Sequence, residues 1–429
     1  MRKMKDSGIE WIGEIPEGWE IVPVRSCFDE VRTKNTDGQE QNALQFKSGN
    51  IISKTNFNAS MDDYVADTIT NYTVVLPDTV MINGLNLNYD FKSLRVALVK
   101  EKGVITSAYL AIFPDRKKIF PQYATYLFKG YETKMAFHNM GAGIRKTLGY
   151  KEFKNQPLLL PSEKEQNKIS AYLDSKCSHI DIMLSKIRSS IEEYKKLKQT
   201  VITQAVTKGV RGEREMKDSG VKWIGEIPKE WVIQKIKSIS SRINVGVVIR
   251  PSEYFDENGT VPFLRGINVK EYLISSDNMV YINESSNHIL SKSQVHTDDI
   301  LIVRDGSIGT SCVVPAEFDG ANVVSMVIAT PSISCDSRFI CYSLNSDVGK
   351  TQFTLTKIGS ALTHTSVSAV SDIIVAVPSC AEQKEIADYL DAKCAEIDGL
   401  IAKKEQLVKE LESYKKSLIY EVVTGKREV

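Results

Sequence analysis

The sequence predicts two mixed α/β (α+β) domains joined by two long antiparallel, coiled-coil-like helices, an internal duplication with pseudo-two-fold symmetry. Three observations support this prediction. Two different motifs each occur twice, the stretch that begins within the second motif has the spacing of packed helices, and the stretches between the motifs are rich in β-forming residues. With 429 residues, 42% hydrophobic and 25% charged, the chain is long enough for several folded units.

The duplication is visible directly in the sequence. KDSGIEWIGEIPEGW at 5–19 returns as KDSGVKWIGEIPKEW at 217–231, and EQNKISAYLDSKCSHID at 165–181 returns as EQKEIADYLDAKCAEID from Glu382. A fixed order of repeated segments indicates a repeated architecture. We therefore predict a first head at 1–160, a helical spacer at 161–212, a second head at 213–377 and a second spacer at 378–429. A gene fusion with a stabilising interface is the plainer alternative.

Apolar residues recur at alternating intervals of four and three in each spacer, which is the pattern of a helix that packs on another helix. The first stripe is Leu173, Cys177, Ile180, Leu184, Ile187, Ile191, Tyr194, Val201 and Ala205. The second stripe is Leu390, Cys394, Ile397, Ile401, Val408, Leu411, Leu418 and Val422. Lys198 interrupts the first stripe, and Lys404 and Lys415 interrupt the second. We expect the two helices to pack together antiparallel.

The ends of the helices can also be predicted. A Pro-Ser pair suits a helix N-terminus and a glycine suits a C-terminal stop, so each helix should begin after Pro161-Ser162 or Pro378-Ser379 and end near Gly209 or Gly425. The pattern also allows a short turn near Cys177 or Asp181. The heads contain short β-rich runs separated by Gly, Asn, Asp and Pro, at 71–76, 79–84, 299–306 and 321–330.

The sequence lacks the motifs of several enzyme classes. It has no P-loop and no G-x-G-x-x-G, no H-E-x-x-H and no C-x-x-C pair among its seven cysteines. These absences predict a chain without catalysis and without a metal. No run of eighteen apolar residues occurs, which predicts a cytoplasmic protein without a membrane span. Because the net charge is only +1, a DNA-binding surface would need local segregation of charge.

The two repeated motifs carry a family resemblance. With W-I-G-E-I-P at 11 and 223 and E-Q-x-x-I-x-x-Y-L-D-x-K-C-x-x-I-D at both later places, the chain resembles the specificity subunits of type I restriction-modification systems over essentially its whole length. The resemblance implies a DNA sequence-specificity subunit that is not an enzyme. Each head would read one half of a bipartite double-stranded DNA target, and the helix pair would set the spacer between the halves.

The resemblance also implies partners. Two methyltransferase (modification) subunits would dock on the helices and the W-I-G-E-I-P segments, and two motor-nuclease (restriction) subunits would complete the complex. S-adenosylmethionine, ATP and Mg would be bound by those partners, with no cofactor in this chain. Trp11 and Trp223 are candidates for docking or, equally, for anchoring the core.

Candidate DNA-binding residues follow from chemistry, because Arg and Lys suit guanine and Asn and Gln suit adenine. In the first head they are Lys47, Asn50, Asn83, Asn86, Asn88, Arg145 and Lys146. In the second head they are Arg265, Asn268, Arg304, Ser307, His364 and Thr365. The three asparagines at 83–88 also suit a turn, and Arg304 beside Asp305 also suits a surface ion pair.

Two other functions remain open at this point. A structural scaffold whose heads bind proteins would fit the near-neutral charge. A silent specificity allele without active partners would have the same sequence features. Sequence-specific protection of DNA separates the DNA-reading function from the scaffold.

Overall fold

The computed structural model describes residues 2–47, 49–54, 69–91, 94–144, 146–355 and 364–429. The chain forms two compact units. The first unit contains Met1–Arg188 and Gln406–Val429, and the second contains Ser189–Glu405. Each unit therefore combines one head with parts of both helical segments.

The first unit contains twelve described strands. They are β1 (Met4–Asp6), β2 (Glu14–Pro16), β3 (Glu20–Pro23), β4 (Phe28–Glu30), β5 (Leu44–Lys47), β6 (Asn50–Ser53), β7 (Thr73–Val75), β8 (Val80–Ile82), β9 (Val96–Leu98), β10 (Gly103–Ile105), β11 (Leu110–Pro114) and β12 (Pro157–Leu160). Its helices are α1 (Pro121–Thr133), α2 (Ala136–Met140), α3 (Tyr150–Phe153) and the start of α4 (Glu163–Lys208).

The central sheet of the first unit has the strand order β4-β11-β8-β9, with all neighbours antiparallel. Its strands and α1 enclose a core rich in aromatic side chains, among them Phe28, Phe128 and Phe153. Leu173, Cys177, Ile180 and Leu184 of α4 belong to the same core, together with Leu418 and Val422. The first part of the predicted apolar stripe is therefore buried against the head as well as against the second long helix.

The second unit follows with thirteen described strands. They are β13 (Met216–Asp218), β14 (Glu226–Pro228), β15 (Val232–Lys235), β16 (Ser240–Val245), β17 (Val261–Leu264), β18 (Val269–Lys270), β19 (Leu273–Ile274), β20 (Val280–Ile282), β21 (Ile300–Val303), β22 (Ser311–Val313), β23 (Asn322–Val323), β24 (Met326–Pro331) and β25 (Ile374–Val377). Its helices are α5 (Ile236–Ile239), α6 (Glu284–Ile289), α7 (Ser337–Asn345), α8 (Asp347–Leu355), α9 (Val367–Ser371) and the start of α10 (Cys380–Val423).

The central sheets of the two units share one topology. In the second unit the strand order is β16-β24-β21-β22, again with antiparallel neighbours. The small pairs also correspond, because β1-β2 and β3-β12 recur as β13-β14 and β15-β25. The heads have diverged in sequence while retaining this framework, and the predicted class of mixed α/β heads joined by helices is confirmed.

The long helices have the lengths that the predicted ends imply, and each is continuous. Helix α4 has 46 residues and α10 has 44, so α4 is about 69 Å long at 1.5 Å per residue. The short turn that the pattern allowed near Cys177 or Asp181 does not occur, since both residues lie within continuous helix. The predicted stops are confirmed, because Gly209 and Gly425 follow the two ends with positive φ angles of 78° and 71°.

The helices pack antiparallel within each unit, as predicted. In the first unit Asp181 contacts Lys415 and Arg188 contacts Glu412, so rising numbers in α4 meet falling numbers in α10. In the second unit Lys198 contacts Asp398, and the Lys404 ammonium lies 5.5 Å from the centre of the Tyr194 ring. Within the described ranges, neither these nor any other helix is both long and apolar enough to cross a membrane.

Candidate nucleic-acid interface

A hairpin of the first unit presents two of the predicted residues. Strands β5 and β6 pair antiparallel, and Lys47 lies opposite Asn50 at the closed end. Both side chains are exposed. Gly49 in the turn has a φ of 73°, a conformation that glycine adopts without a steric penalty. The hairpin tip therefore presents a cation beside an amide, the residue types that read guanine and adenine.

The loop that leaves β8, residues 83–91, carries three predicted asparagines. Asn83 accepts the backbone N–H of Leu85 through Oδ1 at 3.2 Å, and Asn86 has a φ of 53°. Both features are typical of asparagine in turns, so the turn-forming interpretation holds for these two residues. Asn86 is nevertheless exposed, which leaves its amide accessible to a ligand. Base contact by these residues stays a prediction.

A second loop of the first unit, residues 141–147, lies against the first. Asn88 donates its Nδ2 to the carbonyl of Ile144 at 2.7 Å, and the backbone N–H of Leu87 donates to the carbonyl of Lys146 at 3.2 Å. Lys146 is exposed, whereas Arg145 lies outside the described residues. We call residues 83–91 and 141–147 the first reading loops. The structure thus brings together two predicted groups that are far apart in sequence.

The first candidate turn of the second unit follows β17. Asn268 is fully buried there: its Oδ1 accepts the N–H of Arg265 at 3.0 Å, and its Nδ2 donates to the carbonyls of Ser275 and Asp277 at 3.1 and 2.9 Å. A direct base contact by Asn268 is incompatible with this burial, so the residue holds the turn from inside. Arg265 is half-buried and donates Nη2 to the carbonyl of Asn278.

The other predicted residues of the second unit meet across two loops. Arg304 donates its Nε to the carbonyl of Thr365 at 3.0 Å, and the N–H of Thr365 donates to the carbonyl of Arg304 at 3.1 Å. Ser307 and His364 are exposed, but Thr365 is fully buried, so its predicted side-chain contact with DNA is incompatible with its position. We call residues 304–310 and 364–365 the second reading loops.

The suggested ion pair between Arg304 and Asp305 is not the arrangement found. Arg304 is engaged with Thr365, while the carboxylate of Asp305 accepts the hydroxyl of Ser325 at 3.0 Å. Arg304 is half-buried. A bond to a backbone carbonyl fixes the direction of the guanidinium, which is the preorganisation that a recognition residue needs.

The two sets of reading loops occupy the same place in their units. Strands β8 and β21 hold corresponding positions in the two central sheets, and each is followed by the first loop of its set. The second loop of each set precedes α3 or α9. The loops of the first unit carry asparagines and a lysine, whereas those of the second unit carry an arginine, a serine and a histidine. The two heads therefore present different types of polar side chain on the same arrangement of strands.

The repeated motifs tie each head to its long helix. Gln166 donates Nε2 to the carbonyl of Lys118 at 3.0 Å and accepts the N–H of Phe120 at 2.8 Å. Gln383 accepts the N–H of Asp336 at 3.0 Å in the same way. These glutamines belong to the E-Q of the second motif, and the motif alone did not predict this role. They link each head to the first turns of its long helix.

Tyrosine–aspartate pairs make a second link of this kind. Tyr126 donates its hydroxyl to Asp174 at 2.7 Å, and Tyr342 donates to Asp391 at 2.7 Å. Burial, and then the hydrogen bond to the carboxylate, raises the pKa of both tyrosines. The hydroxyls therefore remain protonated donors throughout the accessible pH range. Both aspartates come from the Y-L-D of the second motif.

The tryptophans of the first motif divide between two roles. Trp19 and Trp231 are fully buried core anchors. Trp11 is half-buried and packs edge-on against Tyr131, with ring centroids 4.6 Å apart, while Trp223 is 40% exposed. The interpretation as a core anchor suits Trp11, and exposure keeps Trp223 available for a partner.

One residue that holds the loop at 83–91 was not among the residues predicted from the sequence. Arg95 is 1% exposed, and its Nη1 donates to the carbonyls of Asn83 and Leu85, each at 2.9 Å. Its Nη2 donates to the carbonyl of Asp90 at 2.5 Å. An isolated arginine before a short strand resembles any surface arginine in a sequence. Only the folded loop reveals that it is buried.

Metal chemistry has no ready site in the part of the chain that is described. No group of three or more His, Cys, Asp or Glu side chains there is arranged to hold a metal ion. Burial raises the pKa of the Cys27, Cys177 and Cys394 thiols, and that of Cys312 to about 12, which favours the neutral thiol. These cysteines are small core residues.

Comparison with known proteins agrees with the two-headed architecture. Residues 228–410 match the type I restriction modification DNA specificity domain. The type I restriction enzyme MjaVIII specificity subunit of Methanocaldococcus jannaschii is 24% identical over 418 residues, which cover 96% of this chain and 93% of that protein. The MjaX relative from the same organism is 25% identical over 427 residues, which cover 97% of this chain and 95% of that protein.

A solved structure shows the same fold. A chain from work on complex assembly and conformational transition of the type I R-M system superposes with a TM-score of 0.71 and 14% sequence identity. The match covers 96% of this chain and 99% of that chain. These similarities confirm the resemblance predicted from the two repeated motifs.

Proposed function

We propose that this chain, whose family is that of the type I restriction-modification specificity subunits, selects a bipartite double-stranded DNA target and performs no chemistry itself. The first unit would read one half-site and the second unit the other. The long helices would set the spacer between the half-sites.

The observation that carries this proposal is the pair of reading loops at the same place in two sheets of identical strand order. The loops differ in residue type and in the bonds that hold them. Because base preference depends on which donors and acceptors reach the base edges, unlike loops on a common framework should read unlike sequences. We therefore expect an asymmetric target with two different halves.

The expected contacts are the exposed or half-buried polar side chains of these surfaces. In the first unit they are Lys47, Asn50, Asn86, Asn88 and Lys146, with Asn83 and Arg145 retained from the sequence prediction. In the second unit they are Arg265, Arg304, Ser307 and His364. Lysine and arginine supply the local positive charge that the net charge of +1 does not.

The proposed partners are two modification subunits and two restriction subunits. The long helices carry exposed apolar side chains that offer docking surface to a modification subunit: Ile182, Met183, Leu197, Leu407 and Tyr414. S-adenosylmethionine, ATP and Mg would be bound by the partners, and this chain would need no cofactor. The proposal expects the cytoplasm as the site of action.

The test is selection from random-sequence duplex DNA by the purified complex of this chain with its modification subunits. We expect enrichment of two different short sequences at a fixed separation, which the modification subunits alone do not enrich. Failure to enrich any sequence would contradict the proposal and favour a protein-binding scaffold. Enrichment of a target that stays unmethylated in cells would identify a silent allele.

A further inference from the structure

We propose that Arg95 is the positioning residue of the first unit's DNA-reading surface: its buried guanidinium shapes residues 83–90 from inside and thereby determines which bases the first half-site contains. This inference rests on the proposed function. Arg95 itself would not touch DNA, because only 1% of it is exposed.

The guanidinium holds carbonyl groups spread along the whole loop. Those of Asn83 and Leu85 lie 2.9 Å from Nη1, and that of Asp90 lies 2.5 Å from Nη2. Arginine suits this task because its planar fork donates in several fixed directions at once, whereas a lysine ammonium is a compact point donor. Turning these three carbonyls inward fixes the backbone that carries Asn86 and Asn88.

The Arg95 guanidinium lies closer to the loop carbonyls than to the carboxylate of Asp90. An oxygen of that carboxylate is 3.6 Å from Nη2, whereas the three carbonyl oxygens lie 2.5–2.9 Å from the guanidinium nitrogens. Without the guanidinium, three carbonyl groups of the loop would lose a charged donor, and a buried acceptor that is left without a partner is destabilising. The loop would therefore rearrange rather than keep its shape.

Arg95 is in turn fixed to the framework. Its carbonyl accepts the N–H of Asn83 at 2.8 Å, and its own N–H donates to the carboxylate of Glu132 on α1. The far end of the loop is held by His138, whose Nε2 lies 3.2 Å from the carbonyl of Asp90 and whose ring stacks on Phe91 with centroids 5.1 Å apart. The loop is thus built on a rigid support.

The equivalent loop of the second unit is held by different hydrogen bonds, which makes the inference specific to one half-site. The connection between β8 and β9 spans residues 83–95, while the equivalent connection between β21 and β22 spans only 304–310. The shorter loop is held by the mutual bonds of Arg304 and Thr365. A change at Arg95 should therefore leave the second reading loops intact.

The experiment compares Arg95→Met and Arg95→Lys with the control Arg116→Met, in complexes with the modification subunits. Arg116 belongs to the same unit but is mostly exposed and pairs with Asp78 at 2.6 Å. Single-molecule methylation sequencing reports the bases accepted in each half-site. We expect Arg95→Met to lower methylation of the original target about 10-fold or more and to relax the first half-site only. Arg95→Lys should show a smaller relaxation, and Arg116→Met none.

A purely structural role would lower methylation at every target without changing the accepted bases, and that outcome would overturn the inference. A second measurement, hydrogen exchange of the amides at 83–90 in the full chain, keeps the test independent of methylation. We expect faster exchange there in Arg95→Lys than in Arg116→Met, and equal exchange would also overturn the inference. If the wild-type chain directs no bipartite methylation, the proposed function fails and the inference about base choice fails with it, whereas the exchange measurement still shows whether Arg95 holds residues 83–90.

Discussion

The ammonium group of Lys198 contacts both carboxylate oxygens of Asp398, at 2.9 and 2.6 Å. The same relationship occurs in the first unit, where Lys415 contacts both oxygens of Asp181 at 2.6 and 2.7 Å. Both lysines interrupt the apolar stripes of their helices. Both aspartates end the second repeated motif. These two interruptions are therefore matched polar contacts that fix the register of the helix pair within each unit.

Reversing the Lys198–Asp398 pair tests its contribution. Lys198→Asp should destabilise the second unit because it places two carboxylates together, and adding Asp398→Lys should recover much of the loss. We expect a coupling energy of about 1 kcal/mol, since Lys198 is mostly buried while Asp398 is largely exposed. A double-mutant cycle on the free energy of unfolding measures it. Additive effects of the two substitutions would show that the pair does not set the register.

Removing the side chain of Arg304 should affect one half-site. Arg304→Ala loses the Nε bond to Thr365 and a candidate donor to guanine, so methylation of the original target should fall about 10- to 100-fold. The matched control is Arg211→Ala, which breaks an ion pair with Glu385 away from the reading loops. Methylation sequencing should show relaxed bases in the second half-site for Arg304→Ala only. Loss of the first half-site would contradict the division of labour.

Asn268 should matter for stability and not for base preference. Its buried amide makes three hydrogen bonds within one turn, and Asn268→Ala leaves their partners unsatisfied, at a cost of about 2 kcal/mol. Asn258→Ala, at an exposed turn of the same unit, serves as the control. Thermal unfolding should separate the two variants. A change in the accepted bases with unchanged stability would restore Asn268 as a contact residue.

Glu132 should make stability depend on pH. Burial raises the pKa of Glu132 to about 7 in the folded state, whereas the ordinary pKa is 4.5. Between these two pH values the folded state holds a proton that the unfolded state has released. The stabilisation that this group contributes is therefore fully present below the ordinary pKa and is lost as the pH rises through 7. Glu132→Gln, which keeps an acceptor for the Arg95 N–H, should remove this dependence. Urea unfolding between pH 5 and 8 measures the free energy of unfolding, with Glu10→Gln, at an exposed position, as the control. If that free energy has the same pH dependence in the wild type and in Glu132→Gln, the prediction is wrong.

Features set by local spacing could be predicted from the sequence. The heptad stripes and the glycines after Lys208 and Val423 determined the helices and their ends, because each follows from the geometry of one helix. The division into heads and helices followed from the repeated motifs. The short turn that the pattern allowed near Cys177 or Asp181 is absent because the flanking residues suit a helix equally well, and continuous packing against the head favours the unbroken form.

Features that depend on long-range contact could not be predicted. Asn268 and Thr365 have the same residue types as base-reading side chains, and only the folded turn shows that they are buried. Arg95 had no motif around it, and its role depends on carbonyl groups that a loop brings to it from both sides. The pairing of Arg304 with Thr365 joins residues about sixty positions apart, which no local pattern encodes.

The measurement that tests the central claim most directly is single-molecule methylation sequencing of DNA from cells that produce the modification subunit with or without this chain. The account predicts a bipartite methylated sequence with two different halves that appears only when the chain is present. Variants of the first and second reading loops, Lys146→Ala and Arg304→Ala, should then alter different halves. Methylation that is identical with and without the chain, or two variants that alter the same half, would contradict it.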